Sequence, residues 1–522
     1  MSEINRLGVE IRFQAGLRNP ATSLSLLRIL FRYDDVRIDA IVFWPAQRRN
    51  KTVGNMKGIP RLNSGEDSSN RDAGTVVLEY SVIEQSTMRR VTLHLVPFLM
   101  FCYFINFLDR VNVGFAALQM NGDLKLNSAA FGFGAGLFFV GYFIFEVPSN
   151  LMLYRFGARR WIARIMFTWG LCATGMAFIQ GANSFYIVRF LLGAAEAGFQ
   201  PGIFFFLTLW FPAAYRGRVL GMFFAAIPIS GMIGSPISGM LLSLDGFAGL
   251  RGWQWLYLIE GMPALLLAPV VAFYLQDRAS DAKKWLGTDQ RDWLVARLQA
   301  EQQQREQKRK YSVLQALTNP WVVFLGLIYF SNVCLNNGIS FFLPQIVKGF
   351  GLTNIQTGFV AAIPSACALI CVIWWGRRSD RHHERYGHAA LATFIGGAGL
   401  LLSVSIDDPA ARVAALAIAV SGTLSFAPVF WTIAPSFLSG AAAAGGLAAI
   451  SAMGILGGFL TPWFVGYLKD VTGDFRYGLG SVAVFGMVAG IALYALGRGR
   501  GSAIELPAGT VIATGENNRR SA

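Results

Sequence analysis

Charge is what this sequence has least of. Only 14% of its 522 residues are Asp, Glu, Lys or Arg, against about 25% in a soluble globular domain. Histidine and cysteine are scarce too, with four and five residues. His382, His383 and His388 crowd one basic loop, and His94 opens an apolar run. Cys102, Cys172, Cys334, Cys367 and Cys371 all lie inside apolar segments. Their spacing matches neither a zinc site nor a disulfide framework. Cys367 and Cys371, at i, i+4 on one helix face, read as small packing residues. These shortages leave no metal-ligand set, so no metal, no cofactor and no enzyme is expected. The net charge of +15 would suit a nucleic-acid binder. The basic residues, however, fall in short loops between apolar runs, which is how membrane topology is encoded, so no nucleic-acid partner is expected.

In place of charge stands hydrophobic sequence, 54% of the chain, in runs of the roughly 20 residues that cross a bilayer. About twelve spans are predicted by that criterion: 91–118, 131–153, 161–180, 185–209, 217–243 and 253–275, then 319–346, 353–376, 388–405, 411–437, 442–468 and 477–497. The fold class is an all-α polytopic membrane protein. Residues 1–87 hold no run of spanning length; Ile38–Ala46 is too short and lacks a cleavage pattern, so no signal peptide is expected. The extension reads as disordered, or as sequence upstream of a start at Met88. Residues 88–275 and 319–498 form two six-span bundles, 276–318 a cytoplasmic linker, and 499–522 a disordered tail. Within the linker, Thr288 to Lys310 suits a surface helix.

Loop charge sets orientation. Arg89 and Arg90, the cluster Arg155 to Arg164, Arg216 and Arg218, the linker, and Arg377 to Arg385 all mark even-numbered loops or the N-terminal flank. These are expected inside, with both termini. The tenth loop, Ser439 to Gly446, has no charge, so its side follows only from alternation. The second loop, Tyr154-Arg155-Phe156-Gly157-Ala158-Arg159-Arg160, has a weak echo in the eighth, Gly376-Arg377-Arg378-Ser379-Asp380-Arg381. That echo supports two related halves. Arg155, Gly157, Arg159, Gly376, Asp380 and Arg381 are the loop positions it singles out.

Charge inside the apolar runs is the functional signal, because it is expensive there and normally marks a solute or proton path. Arg189 and Glu196 are the only charged residues between Arg164 and Arg216. Seven residues apart, they leave one face of one helix. Asp109 and Arg110 lie in span one, Glu146 in span two and Glu260 in span six, while no charged residue occurs between Arg412 and Lys469 or between Lys310 and Lys348. The ionic machinery is therefore expected in the first half. At 1.5 Å per residue, Asp109 lies about 27 Å along span one, level with Arg189, and Glu196 about 10 Å deeper. Asp109 and Arg110 point about 100° apart, so one is expected to pair with Arg189 while the other faces a cavity. Arg offers a fork that binds carboxylate and stays charged; a buried acid can take up and release a proton. The competing reading is a set of ion pairs that lock helices together, and for Glu146 and Glu260, beside Pro breaks near span ends, it weighs equally. Gly198 to Gly202, Ile227 to Pro236, Pro428 and Pro435 are expected to break spans. Asn332, Asn336, Asn337, Gln345, Ser421 and Ser451 read as interhelical glue rather than substrate contacts.

These residues resemble a family. Asp109-Arg110-Val-Asn112, Val147-Pro-Ser-Asn-Leu151, Phe156-Gly-Ala-Arg-Arg-Trp161, Arg189-Phe-Leu-Leu-Gly-Ala-Ala-Glu-Ala-Gly198, Trp253-Gln-Trp-Leu-Tyr-Leu-Ile-Glu-Gly261, Leu343-Pro-Gln-Ile-Val-Lys348 and Gly466-Tyr-Leu-Lys-Asp470 are similar to the anion:cation symporter branch of the major facilitator superfamily. The resemblance, over Met88 to Arg498, implies twelve helices in two pseudo-symmetric bundles that rock about a central site. It implies proton-coupling roles for Asp109 and Glu196, anion binding by Arg110 and Arg189, and a site-lining Tyr142. Two departures matter. Tyr154 stands where the loop motif usually has an acid, and Ser451 and Ile455 stand where asparagines are common, which favours a less polar carboxylate. The expected function is proton-coupled import of a small organic carboxylate, such as tartrate, a sugar acid or an aromatic acid, by a monomer in an inner membrane. An exchanger or exporter of the same fold is the alternative. A membrane receptor or enzyme would show a His, Cys or Asp cluster or a soluble domain.

Overall fold

The computed structural model describes residues 10–15, 24–33, 36–45, 68–306, 320–382, 384–433 and 441–501. Two compact units result, Met1–Ala73 and Gly74–Ala522. The first carries β1 (Glu10–Ala15), β2 (Leu24–Tyr33) and β3 (Val36–Pro45) in one antiparallel sheet of order β1-β2-β3. Tyr33 pairs with Val36 in the register of β2 and β3. The run expected to be irregular at Ile38–Ala46 thus lies largely in β3. Its alternating Val36, Ile38, Ala40 and Val42 have the two-residue period of a strand.

Among the described residues, twelve helices of the second unit are long and apolar enough to cross a membrane. Span one is Val82–Asp123, two Ser128–Phe156, three Ala158–Phe178, four Ala182–Thr208, five Ala213–Leu244 and six Gly252–Tyr274. Seven is Pro320–Lys348, eight Asn354–His382, nine Tyr386–Ser405, ten Pro409–Ile433, eleven Gly446–Thr472 and twelve Arg476–Arg498. Each overlaps a predicted span. The helix carrying span one begins earlier, at Ser68, and Met88 is a buried position inside it. The linker helix forms over Thr288–Glu306; residues 307–310, and the part of the tenth loop at 439–440 with Pro435, lie outside the described residues.

Packing follows a repeated plan. Span two packs on four and three on six, and in the second half eight packs on ten and nine on twelve. Across the halves, two meets eleven and five meets eight. These crossings use glycine, whose missing Cβ lets backbones touch. A Cβ on Gly132 would overlap the Pro462 carbonyl, and one on Gly466 the Ser128 carbonyl. A Cβ on Gly358 would stand 2.5 Å from the Ser235 carbonyl oxygen. One hydrophobic core joins both halves through Val113, Phe131, Phe185, Phe342 and Val465. All these contacts lie toward the end that carries the odd-numbered loops. The two halves are therefore closed against each other at that end.

A polar clasp reinforces the closure. Asp470, at the end of span eleven, accepts from the backbone N–H of Ser128 at 3.0 Å and Ala129 at 2.7 Å. A carboxylate at a helix N-terminus satisfies orphan donors and complements the dipole. Losing such a cap costs about 1 kcal/mol. Asp470→Ala is therefore expected to shift the population about fivefold away from the closed arrangement. Spin labels at Lys125 and Tyr477, on opposite halves, should report a growing long-distance fraction. An unchanged distance distribution would remove the clasp.

Candidate functional site

Span four is built to be interrupted. Its first helix ends at Glu196 and its second begins at Phe199. Between them Gly198 adopts φ 87°, a left-handed backbone that glycine accepts without steric cost. A broken helix is tolerated at membrane depth only where protein or a wet cavity surrounds it. Ala197 and Phe199 are indeed buried. The expected break at 198–202 is thus placed just ahead of Gly198. In span five the helix Ala213–Leu241 instead runs through Pro228 and Pro236, as span ten runs through Pro428.

The break sets Glu196 against span one. Arg110 donates from Nε at 3.0 Å and from Nη2 at 2.5 Å to the same oxygen, Glu196 Oε1. Glu196 is almost wholly buried, yet 25% of the Arg110 side chain remains accessible. Phe107 from its own helix and Phe138 and Tyr142 from span two hold the guanidinium at 5.1, 5.3 and 5.7 Å from their ring centres. Phe138 and Tyr142, four apart, share one face, and each such cation–ring contact is worth about 0.5–2 kcal/mol. Tyr142 thus lies beside the Arg110 guanidinium.

Arg189 is placed differently from expectation. It is buried, donates from Nη2 to the Ala135 carbonyl at 3.1 Å, and lies 5.1 Å from the Phe138 ring. Its Nε has no partner. The expected pairing of Arg189 with one of Asp109 and Arg110 does not occur among the described residues; the pair that forms is Arg110–Glu196. The reason is rotation about span one. With Arg110 turned toward Glu196, the adjacent Asp109 is carried about 100° away and meets Asn112, whose Nδ2 donates to Asp109 Oδ1 at 3.2 Å. Arg189 reaches the level of this cluster, as the depth estimate requires, but takes a backbone acceptor.

A second buried acid lies nearby. Glu260 of span six accepts from Ser238 Oγ of span five at 2.7 Å, and the Asn112 amide lies near it. From the sequence Glu260 stays open, Asn112 enters only as part of the run Asp109-Arg110-Val-Asn112, and Ser238 carries no signal. Asn112 was legible at i+3 from Asp109, on the same face. From the second half, Tyr329 lies within electrostatic reach of Arg110 and Glu146 and packs edge-on to Trp431 at 5.0 Å. Asn332 donates to the Thr423 carbonyl and Asn337 to that of Val333, which is interhelical and intrahelical glue.

The loop positions divide. Gly157 takes φ 89° between spans two and three, and Arg159 donates its backbone N–H to Asp277 at 2.8 Å. Asp277, beyond span six, thus supplies an acid beside the loop whose motif has Tyr154, itself 80% exposed. Arg155 lies 5.7 Å from the Phe156 ring. In the eighth loop Asp380 pairs with Arg385 at 2.6 Å, Arg381 is exposed, and nothing crowds Gly376. Burial raises the Glu384 carboxyl, but the backbone N–H groups of Gly387 and His388 and the His388 ring outweigh it and hold it below its ordinary value. His383 lies outside the described residues, and no cluster of His, Cys, Asp and Glu suited to a metal occurs among the described residues.

The sequence pattern described as Major Facilitator Superfamily matches residues 99–462. A protein of Agrobacterium vitis named "Putative tartrate transporter" is 47% identical over 418 residues, covering 80% of this chain and 96% of the relative. The "Quinolone resistance transporter" of Acinetobacter baumannii is 43% identical over 416 residues, covering 79% and 96%. Among solved structures, a bacterial homologue of the human lysosomal transporter Spinster, inward-facing and unoccupied, superposes with a TM-score of 0.65 at 15% identity, covering 78% of this chain and 97% of that one. With twelve spans in two related bundles and relatives that are transporters rather than enzymes, the chain belongs to the Major Facilitator Superfamily, in its organic-anion branch.

Proposed function

We propose that this protein imports a small organic carboxylate together with protons. The observation that carries the reading is the Arg110–Glu196 pair, in which a quarter of the Arg110 side chain is accessible while Glu196 is buried. A guest carboxylate that binds Arg110 must compete with Glu196 for the same guanidinium fork. A carboxylate left buried without its cation costs about 3–5 kcal/mol, so Glu196 takes a proton as the guest arrives. Anion and proton then enter together by mutual displacement. Arg189 adds positive potential behind Phe138, and Asp109 supplies a second protonatable group.

The basic even-numbered loops are assigned to the cytoplasm, with both termini, in the inner membrane of a bacterial-type cell. On that assignment the closed end faces outward and this conformation admits solute from inside. The transport unit is proposed to be the monomer, since each chain carries both halves of the site. The carboxylate is taken from the class that includes tartrate, the solute in the name of one relative. The rings of Phe107, Phe138 and Tyr142 around the guanidinium, with Ile455 in span eleven, favour a flat, less polar acid within that class.

Proteoliposomes decide it. Uptake of radiolabelled L-tartrate and of 4-hydroxyphenylacetate should be driven by an inward proton gradient and collapse when the gradient is dissipated. Uptake indifferent to pH but stimulated by internal anion would instead establish an exchanger. Glu196→Gln should retain anion exchange while accumulation falls to the equilibrium level. Normal proton-driven accumulation by that variant would remove Glu196 from coupling.

A further inference from the structure

Away from the accessible Arg110 lies a buried group whose charges do not balance. Asp109, Glu196 and Glu260 are at most 4% exposed, and Arg189 is 3% exposed. With Arg110 this makes three carboxyls against two guanidiniums. Glu196 is matched by Arg110. Arg189 can balance one more acid, so one carboxyl of the remaining two is left without a cation. An isolated buried carboxylate is too costly to persist and neutralises instead.

The hydrogen bonds say which two acids compete. Asp109 Oδ2, Glu260 Oε2 and Asn112 Oδ1 are all buried and all lack a partner, as does the Trp169 Nε1–H. Asn112 donates to Asp109 at 3.2 Å, and its amide lies near Glu260. Three orphaned acceptors around one amide lack a hydrogen. A single proton on a carboxyl oxygen supplies it, because a protonated acid can donate to the amide carbonyl while the amide N–H serves the ionised acid. Turning the amide over exchanges the roles of the two acids.

We propose that Asp109 and Glu260 share one proton across Asn112, which makes Glu260 a second proton-holding residue of the transport cycle, set apart from the solute. The inference rests on the proton-coupled reading of the same site. Ser238 supports the ionised form of Glu260 through its hydroxyl, and the Trp169 N–H stands ready for the ionised form of Asp109. The other titratable or charged groups facing the pair are Tyr257 on span six and Arg189 and Glu196 on span four; Arg110 on span one is turned to Glu196. Half-buried Glu146 is not among the groups that face Asp109 or Glu260. Binding a guest anion at Arg110 adds one more negative charge, which a second proton on Glu196 offsets. The shared proton and the coupled proton are thus distinct.

Infrared difference spectra of purified protein without solute test this, and their failure is separable from failure of transport because no solute is used. The neutral-carboxyl C=O band should appear in wild type minus Glu260→Gln and, at the same position, in wild type minus Asp109→Asn. Removing either acid leaves two carboxylates for two guanidiniums and no need for the proton. A band lost only on substituting one of the two acids, or lost in neither, overturns the proposal. Should both variants fail to fold, Ser238→Ala keeps both acids and should displace the band; a band that does not move shows that Glu260 has no share in the proton.

Discussion

Arg110→Gln is expected to reduce carboxylate binding about 100-fold or more and to abolish proton-driven uptake. The amide keeps much of the length of the side chain but loses the charge and the two-pronged donor that now holds Glu196. Charge-assisted hydrogen bonds of this kind are worth about 1.5–3 kcal/mol each, and 1.4 kcal/mol is a factor of ten in affinity. Arg110→Lys should recover only part of the loss, since an ammonium offers a point charge in place of a planar fork and stacks poorly on Phe107, Phe138 and Tyr142. Arg189→Gln should also suppress uptake, through the field of the site, but with a different signature. Because Arg189 is buried against the Ala135 carbonyl, its loss should lower thermal stability as well, whereas the accessible Arg110 should affect binding more than melting. Equilibrium binding of the labelled acids, run beside melting curves, separates the two. Retained binding in Arg110→Gln would refute the assignment of the accessible guanidinium as the anion anchor.

That the two arginines divide in this way was only half visible in the chain. The spans were legible because bilayer thickness imposes a length on apolar runs, and all twelve predicted runs overlap observed helices. Charged residues inside those runs were legible for the same energetic reason. Partner choice was not. It depends on rotation about each helix, and the 100° between Asp109 and Arg110 fixes only that they diverge, not which one meets Glu196. Arg189 settles on a backbone carbonyl, a partner every residue offers and no side chain announces. Asp470 and Asp277 were invisible as caps because their partners, Ser128 and Arg159, are far away in sequence. Ser238 carries an ordinary polar side chain, and only the fold makes it the partner of a buried acid on another span. In β3 the two-residue alternation is itself the strand signal, in a run too short to cross a bilayer.

The same steric change at two glycines should give opposite phenotypes, and the contrast tests whether the halves move as bodies. Gly193 in span four lies so close to span two that a Cβ would overlap the Phe138 carbonyl. Both spans belong to one bundle and jointly position Phe138, Arg189 and Glu196. Gly193→Val must therefore push apart helices that have no reason to separate. Overpacking of this kind costs about 1–3 kcal/mol, at about 2–4 °C of melting temperature per kcal/mol for a bundle of this size. A fall of roughly 5–10 °C, with loss of binding, is expected. Gly132 meets the Pro462 carbonyl with equal intimacy, but across the boundary between bundles. If the bundles rock, that contact breaks in every cycle, and Gly132→Val strains only one of the two states. Its melting temperature should stay near that of wild type while labels at Lys125 and Tyr477 move apart and net uptake stops, because one conformation has been removed from the cycle rather than the fold from the protein. A variant at Gly132 that melts as low as the one at Gly193 would mean that the crossing of spans two and eleven is permanent, and a permanent crossing there is incompatible with two bundles taking turns to open.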